Sequence, residues 1–301
     1  MPVHVFSHPL CLTHDSGPGH PESPARLAAI LEALRGPAFS AMICWRQASP
    51  ATDDQLRRAH APAYLELLRA VATAGGGRLD ADTVMGPTSY QAAVLASGAA
   101  IGAAKTALAG AAAFAAIRPP GHHALPDTAM GFCLINHVVV AARAALEEDA
   151  VDRVLIIDWD VHHGNGTQAM VERDPRIRYV SLHQRPLYPG TGSADERGVG
   201  NIFNVPRPPG MPRGAYVRDL GNAVARAVDG WRPGLILLSA GFDALAGDPL
   251  AGFTLEPEDY SLWVREWRQL GVPMASILEG GYVPSRISLA ASEHLRALAS
   301  K

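Results

Sequence analysis

Val154-Leu155-Ile156-Ile157-Asp158-Trp159-Asp160-Val161-His162-His163 runs from four apolar residues straight into carboxylates and imidazoles. The apolar run has no polar face, so it predicts a strand covered on both sides, as in a parallel sheet between layers of helices. Beside 153–157, the segments 3–6, 41–45, 114–117, 177–182, 235–239 and 274–278 also read as strands. Patterns of helical period lie between them at 24–34, 63–72, 89–109, 135–148, 213–229 and 256–270. This alternation predicts a doubly wound parallel α/β sheet. The Ala-rich stretch 89–116 reads as one helix or as two, and no internal repeat is visible.

Composition bounds the rest. Of 301 residues, 48% are hydrophobic and 18% charged, which suits one large core and excludes a mostly disordered chain. A single domain over 1–301 is therefore expected. A formal charge of −3 provides no broad basic field and argues against nucleic acid as a partner. The three cysteines, Cys11, Cys44 and Cys133, fit neither a disulfide framework nor a CxxC metal site, as expected in a reducing cytoplasm. Met1-Pro2-Val3-His4-Val5-Phe6 lacks a cationic stretch before an apolar one, and 92–116 is interrupted by Ser97, Lys105 and glycines. A cytoplasmic protein with no membrane partner is the expectation, with homo-oligomers left open.

In such sheets ligands bind outside the carboxyl ends of the strands. Four polar stretches follow apolar runs: 118–123, 158–163, 241–243 and 279–282. Asp158, Asp160 and His162 are spaced by two, so in extended backbone they share one side while Trp159 and Val161 take the other. Taken alone, DxDxH reads equally well as a solvated loop whose Asp caps a helix starting near Asn165. Asp243, which also leaves an apolar strand, shifts the balance. Two Asp and one His make three ligands with an open position, the pattern of a catalytic zinc site, although the ligand chemistry also admits iron, cobalt or manganese. His122 and His123 are a tandem imidazole pair suited to general base and acid work. Tyr282, on a flexible Gly280-Gly281 hinge, is either an oxyanion donor or a tyrosine packed at a loop corner.

These stretches resemble a known family. RPPGHHA at 118–124, GFC at 131–133, DWDVHHGNGTQ at 158–168, SLHQ at 181–184, YPGTG at 188–192, SAGFDALAGDPL at 239–250 and LEGGY at 278–282 are similar to the zinc-dependent histone deacetylase and acetylpolyamine amidohydrolase superfamily. GHPESPARL at 19–27 resembles the N-terminal loop of its class II and bacterial branch. The resemblance implies the arginase-like deacetylase fold, with about eight parallel strands and helices on both faces. It implies one zinc ion per chain on Asp160, His162 and Asp243, with Tyr282 as the catalytic tyrosine. His123 resembles the general base and acid, and His122 its electrostatic support with Asp158 behind it. Asp158, Asp160, His162, Ser181 and the Leu182 carbonyl resemble an inner potassium site. Phe132 and Tyr188 match the aromatics that sandwich the substrate's methylene stem. Arg26 resembles the arginine near an acetate exit cavity, and Asp82 is a candidate rim hydrogen-bond acceptor or a plain capping Asp.

There are departures from the family pattern. Asn165 stands where class I enzymes place an aspartate behind the second histidine, so the imidazole's pKa is raised less than a carboxylate would raise it. Val171, Asp174 and Ile177 occupy the stretch that forms a second, outer potassium site in other members, and that site is left open. Leu250 stands where polyamine-selective relatives carry a glutamate. The short chain implies a compact bacterial-type enzyme with trimmed rim loops.

The implied activity is removal of an acetyl or other acyl group from acyl-lysine or a similar primary amine, ahead of acetylpolyamines. The rivals are a binuclear manganese amidinohydrolase, a non-catalytic acyl-lysine binding protein, and a protein whose metal only holds loops together. The HH pair and Tyr282 fit the single-metal deacetylase rather than the first, Tyr282 favours turnover over the second, and three ligands with an open position suit the third poorly.

Overall fold

The apolar run that opens the sequence reading is a central strand. In the computed structural model, which describes residues 2–147 and 151–300, the strands are β1 (Val3–Ser7), β2 (Ile43–Gln47), β3 (Gly77–Arg78), β4 (Val84–Met85), β5 (Ala113–Ala115), β6 (Val154–Asp158), β7 (Ile177–Gln184), β8 (Ile202–Arg207), β9 (Leu235–Ala240) and β10 (Met274–Leu278). The helices are α1 (Pro24–Arg35), α2 (Asp53–Arg57), α3 (Pro62–Thr73), α4 (Ser89–Leu108), α5 (His137–Ala145), α6 (Asn165–Val171), α7 (Arg213–Val228), α8 (Pro257–Arg268) and α9 (Pro284–Ala299). Eight strands form one sheet in the order β2-β1-β5-β10-β9-β6-β7-β8. Every neighbouring pair in it is parallel. β3 and β4 form a separate antiparallel pair.

The doubly wound α/β architecture is as the sequence predicts. β6, β9 and β10 are buried at every residue; α4 and α5 pack against these central strands, α7 packs on β7 and β8, α9 on β1, and α1 and α8 pack on α9. The Ala-rich helix is unbroken: α4 runs through all of 89–108. Its small side chains let it lie close to the sheet and loops, and a Cβ on Gly98 would meet the Ser49 carbonyl at 1.7 Å. No described helix is long and apolar enough to cross a membrane.

Some boundaries and elements differ from the sequence reading. The strand expected over 41–45 is Ile43–Gln47, because a short 3-10 turn at Pro37–Phe39 takes up the preceding chain. β8 and α9 carry no expected element. β8 contains Pro206, whose missing N–H is tolerated at the sheet edge. The helix expected over 135–148 is His137–Ala145, and its last expected residue, Glu148, lies outside the described residues.

α8 starts with a capping box between Glu256 and Asp259 and with Pro257 in the first turn. It brings Tyr260, Trp263 and Trp267 beneath the loop that follows β6. Trp159 stacks on Trp263 and Trp267 at ring-centroid distances of 5.8 Å and is fully buried. The strand ends at Asp158, yet the alternation continues in the loop: Trp159 and Val161 point into the core while Asp160 and His162 turn toward the sheet's carboxyl edge.

Candidate active site

Four strand exits meet at that edge. β6 delivers Asp158, Asp160 and His162; β9 delivers Asp243; β10 delivers Glu279 and Tyr282; and the chain after β5 delivers His122 and His123. Asp160, His162 and Asp243 are all buried, and each offers one ligand atom within 4.8 Å of the others. His162 Nδ1 lies 3.1 Å from both Asp160 Oδ1 and Asp243 Oδ2. The other oxygens are held by backbone: Gly280 N–H donates to Asp160 Oδ2 and Val161 N–H to Asp243 Oδ1, each at 2.8 Å. Gly280 can approach this closely only without a side chain, since a Cβ there would lie 2.3 Å from Asp243 Oδ2.

Burial and the charge of Asp160 push the Asp243 carboxyl up to about 7. Burial alone would depress His162, but hydrogen bonds to the two carboxylates carry it up to about 10. The cluster therefore calls for positive charge. A divalent cation fits this donor set of two carboxylate oxygens and one imidazole nitrogen.

His122 Nδ1 lies 3.1 Å from Asp158 Oδ2, which also accepts from the Tyr179 hydroxyl at 2.8 Å. Against the effect of burial, Asp160 and Asp158 hold the His122 imidazole well above its usual range. His123 has the opposite environment. Its Nδ1 lies 2.8 Å from Asn165 Oδ1, and burial together with the neighbouring His122 and His162 holds it well below the usual range. The Asn165 amide donates from Nδ2 to Met130 Sδ at 3.3 Å, so Oδ1 is the end that faces His123. Nδ1 then carries the proton and Nε2 is a free acceptor. Asn165 is also the first residue of α6, whose N-cap makes no side-chain bond, so no Asp caps that helix.

A cavity of about 220 Å³ opens above this cluster, lined by Asp82, His123, Gly131, Phe132, His162, Leu187, Tyr188, Leu250 and Tyr282. All three expected tunnel residues, Phe132, Tyr188 and Leu250, are thus on its wall, with Asp82 beside them. Phe132 has φ 69, a left-handed conformation that costs a side-chain-bearing residue energy. It is held there by Thr83 Oγ1, which accepts the Phe132 N–H, and by the His20 ring edge-on at 4.6 Å. Asp82 caps no helix, since α4 begins at Ser89; it accepts from Thr83 Oγ1 at 3.2 Å.

The Gly280-Gly281 segment, expected as a flexible hinge, is tethered on both sides. Tyr282 N–H donates to Asp248 Oδ2 at 2.8 Å, and Asp248 Oδ1 accepts from Leu250 N–H at 3.0 Å. Arg26 donates to the Gly281 and Glu279 carbonyls. Its guanidinium lies 4.9 Å from the centre of the Tyr282 ring. Burial holds the Tyr282 hydroxyl well above its usual pKa, so it stays a donor. In the inner region Asp158 and Ser181 are Cα partners across β6 and β7. Ser181 Oγ lies 2.9 Å from His183 Nδ1, and the Leu182 carbonyl accepts from the Tyr216 hydroxyl at 3.3 Å.

Several contributing residues have no role in the sequence reading. Glu279 is fully buried, and its Oε2 accepts from the Gly121 and His122 N–H groups at 2.6 and 3.1 Å, tying the paired-histidine loop to the tyrosine loop. Its signal was a carboxylate directly after an apolar strand, the same signal that marks Asp158. Glu22 pairs with Arg26 at 2.7 Å and with Arg118 at 2.6 Å, all three fully buried. Although burial opposes it, Arg118 and His14 hold the Glu22 carboxyl well below its usual range. Replacing Glu22 by Ala leaves two buried guanidiniums without their counter-ion and is expected to cost about 3–5 kcal/mol of stability. Urea unfolding of Glu22→Ala beside the parent chain measures this, and a loss under about 1 kcal/mol would show that the arginines are hydrated or paired elsewhere.

A doubly wound sheet with a buried Asp-His-Asp cluster at the floor of an aromatic-walled cavity defines a candidate metal-dependent hydrolase. The pattern of the histone deacetylase domain family matches residues 20–298. The chain belongs to the histone deacetylase family of amidohydrolases and deacetylases. It is 44% identical over 292 residues to an uncharacterised protein of Synechocystis, covering 95% of this chain and 96% of that one. It is 40% identical to the histone deacetylase-like amidohydrolase of Pseudomonas aeruginosa, covering 92% of this chain and 80% of that one. It is 39% identical to a probable deacetylase of Methanothermobacter thermautotrophicus, covering 93% of this chain and 86% of that one. The crystal structure of the HDA15 HD domain superposes with a TM-score of 0.94 at 34% identity, covering 99% of this chain and 88% of that one.

Proposed function

We propose that the chain is one zinc-dependent catalytic domain over 1–301, acting in the cytoplasm, that hydrolyses the amide of N-acetyl-lysine or a similarly acylated primary amine. The observation that carries this is the convergence of Asp160 Oδ1, His162 Nδ1 and Asp243 Oδ2 at the floor of a cavity that His123 and Tyr282 also line. Asp160, His162 and Asp243 would hold the metal. When bound, zinc supplies Lewis acidity, polarising the amide carbonyl and acidifying a water molecule.

The chain's own groups do the rest. His123 Nε2, left bare by the Asn165 contact, takes the proton from that water and returns it to the leaving amine. His122, paired with Asp158, carries positive charge beside His123 and keeps the second imidazole neutral until it is needed. Tyr282 donates its hydroxyl to the oxyanion that develops on the carbonyl. Phe132, Tyr188 and Leu250 exclude water from the methylene stem, and Asp82 accepts a hydrogen bond from the substrate at the mouth. Arg26 holds the Tyr282 loop from below and borders the route for released acetate. Asp158, Asp160, His162, Ser181 and the Leu182 carbonyl offer mainly oxygen donors, the set a potassium ion takes.

One purified preparation, assayed on acetyl-lysine peptides, longer acyl-lysines and acetylpolyamines, tests the substrate. Acetyl-lysine compounds are expected to turn over fastest, because the cavity wall carries Leu250 where a polyamine site needs a carboxylate. Much faster turnover of acetylspermidine would reverse that order. A hydroxamate is expected to inhibit in the same assay, since it would offer oxygen ligands to a metal held by Asp160, His162 and Asp243 and hydrogen-bonding atoms to Tyr282 and His123. No inhibition at millimolar hydroxamate would argue against an accessible metal.

A further inference from the structure

The loop between α6 and β7 brings three backbone carbonyl oxygens to one point, and a side chain of the protein fills it. Asn201 Nδ2 lies 2.8 Å from Val171 O, 3.1 Å from Asp174 O and 2.8 Å from Ile177 O. Asn201 is only 3% exposed. Its Oδ1 accepts from Val199 N–H at 3.2 Å, so the hydrogen-bond network fixes which end of the amide is nitrogen. The backbone is equally engaged. Asn201 N–H donates to Arg197 O at 3.0 Å, and Asn201 O accepts from Tyr179 N–H at 2.9 Å, which seats the residue at the entrance of β8.

These three carbonyls are the positions at which the resemblance to other family members raised an outer potassium site. Convergent carbonyl oxygens are suitable ligands for a monovalent cation. Here the residues present do not fit the ion, because an N–H donor stands at the centre of the cage. The surrounding charge points the same way. The carboxylate of Asp174, whose own carbonyl belongs to the cage, is taken by Arg176 through Nε at 2.9 Å and Nη2 at 2.8 Å. Arg143 adds a second guanidinium, donating to the Met170 carbonyl at 2.6 Å.

We infer that the Asn201 amide replaces the outer cation in this protein, so that the α6–β7 loop is braced by the chain itself and needs no potassium. The brace matters to the active site because α6 begins at Asn165, the partner of His123, and ends at Val171, a member of the cage. The inference is independent of the catalytic reading and of the inner cation site.

Crystals grown with rubidium chloride in place of potassium chloride test it through anomalous scattering. The expected result is no rubidium peak among the Val171, Asp174 and Ile177 carbonyls of the wild-type chain. A peak there, with the Asn201 side chain turned away, would overturn the inference. In solution, Asn201→Gly opens the cage. It is expected to melt about 3–6 °C below the wild type in choline chloride, from the loss of the buried amide's hydrogen bonds. Potassium chloride should restore a large part of that loss. Any inner-site contribution is common to both proteins, so a potassium-minus-choline difference no larger in Asn201→Gly than in the wild type would also overturn it. If Asn201→Gly does not fold, the wild-type rubidium crystal decides alone.

Discussion

Replacing Asp243 by Asn is expected to abolish turnover and metal binding together. Asn keeps the size of the side chain and an oxygen for the Val161 N–H, but it removes one of the two anionic ligand atoms at the cavity floor. Even partners outside the ligand set are worth roughly 10–100-fold in metal affinity, so the loss of an anionic ligand should exceed about 100-fold. The effect on stability should be small or opposite in sign. Asp160 and Asp243 share one imidazole in a buried cluster, and burial with the charge of Asp160 pushes Asp243 up to about 7. Without metal, the Asn variant should therefore melt no lower than the parent chain without metal. Elemental analysis, turnover and melting on the same samples check all three points. Full activity in a chelated preparation would remove the metal from the mechanism, and a variant that fails to fold would recast Asp243 as structural.

Tyr282→Phe is expected to lower kcat by roughly 10²–10³ with much less change in KM, the range for loss of one oxyanion donor. Charge on the carbonyl oxygen develops in the transition state, so a donor aimed at it contributes more there than in the bound substrate. Folding should be unaffected, because the ring contacts to Phe132 and Arg26 and the Tyr282 N–H bond to Asp248 survive the substitution. Metal content should also persist. Nearly full kcat would exclude the hydroxyl from the reaction, and loss of metal would show a structural residue mistaken for a catalytic one.

What was legible in the sequence was whatever repeats with a period or stands at a strand exit. The apolar runs marked β6, β9 and β10, and spacing by two put Asp160 and His162 on the side away from Trp159 although the strand ends at Asp158. β8 was not legible because Gly198, Gly200 and Pro206 break up a segment that becomes a strand only by pairing with β7. α9 was legible in principle. Ile287, Ala290, Ala291, Leu295 and Leu298 recur at helical spacing, but the segment follows the Gly-Gly-Tyr turn closely and starts at a proline. Glu279 carried the same strand-exit signal as Asp158, whereas Glu22 and Asn201 escaped for a different reason. Their importance lies in burial against partners elsewhere in the chain, and a polar residue in a loop gives no local sign of being buried.

The place of β10 in the sheet has a consequence for how the protein is made. Residues 274–278 are the last strand in chain order, yet they sit between β5 and β9 at the centre of the sheet. Before those residues are synthesised, β2-β1-β5 and β9-β6-β7-β8 can pair at most as two half-sheets, each with an open inner edge. Such edges pair readily with wrong partners, and closure requires contacts very distant in sequence, which is intrinsically slow. Glu279 and Tyr282 arrive with the same strand, so the candidate site is completed only in the act of sealing the core. A chain that stops before residue 274 is therefore expected to leave no partly working fragment.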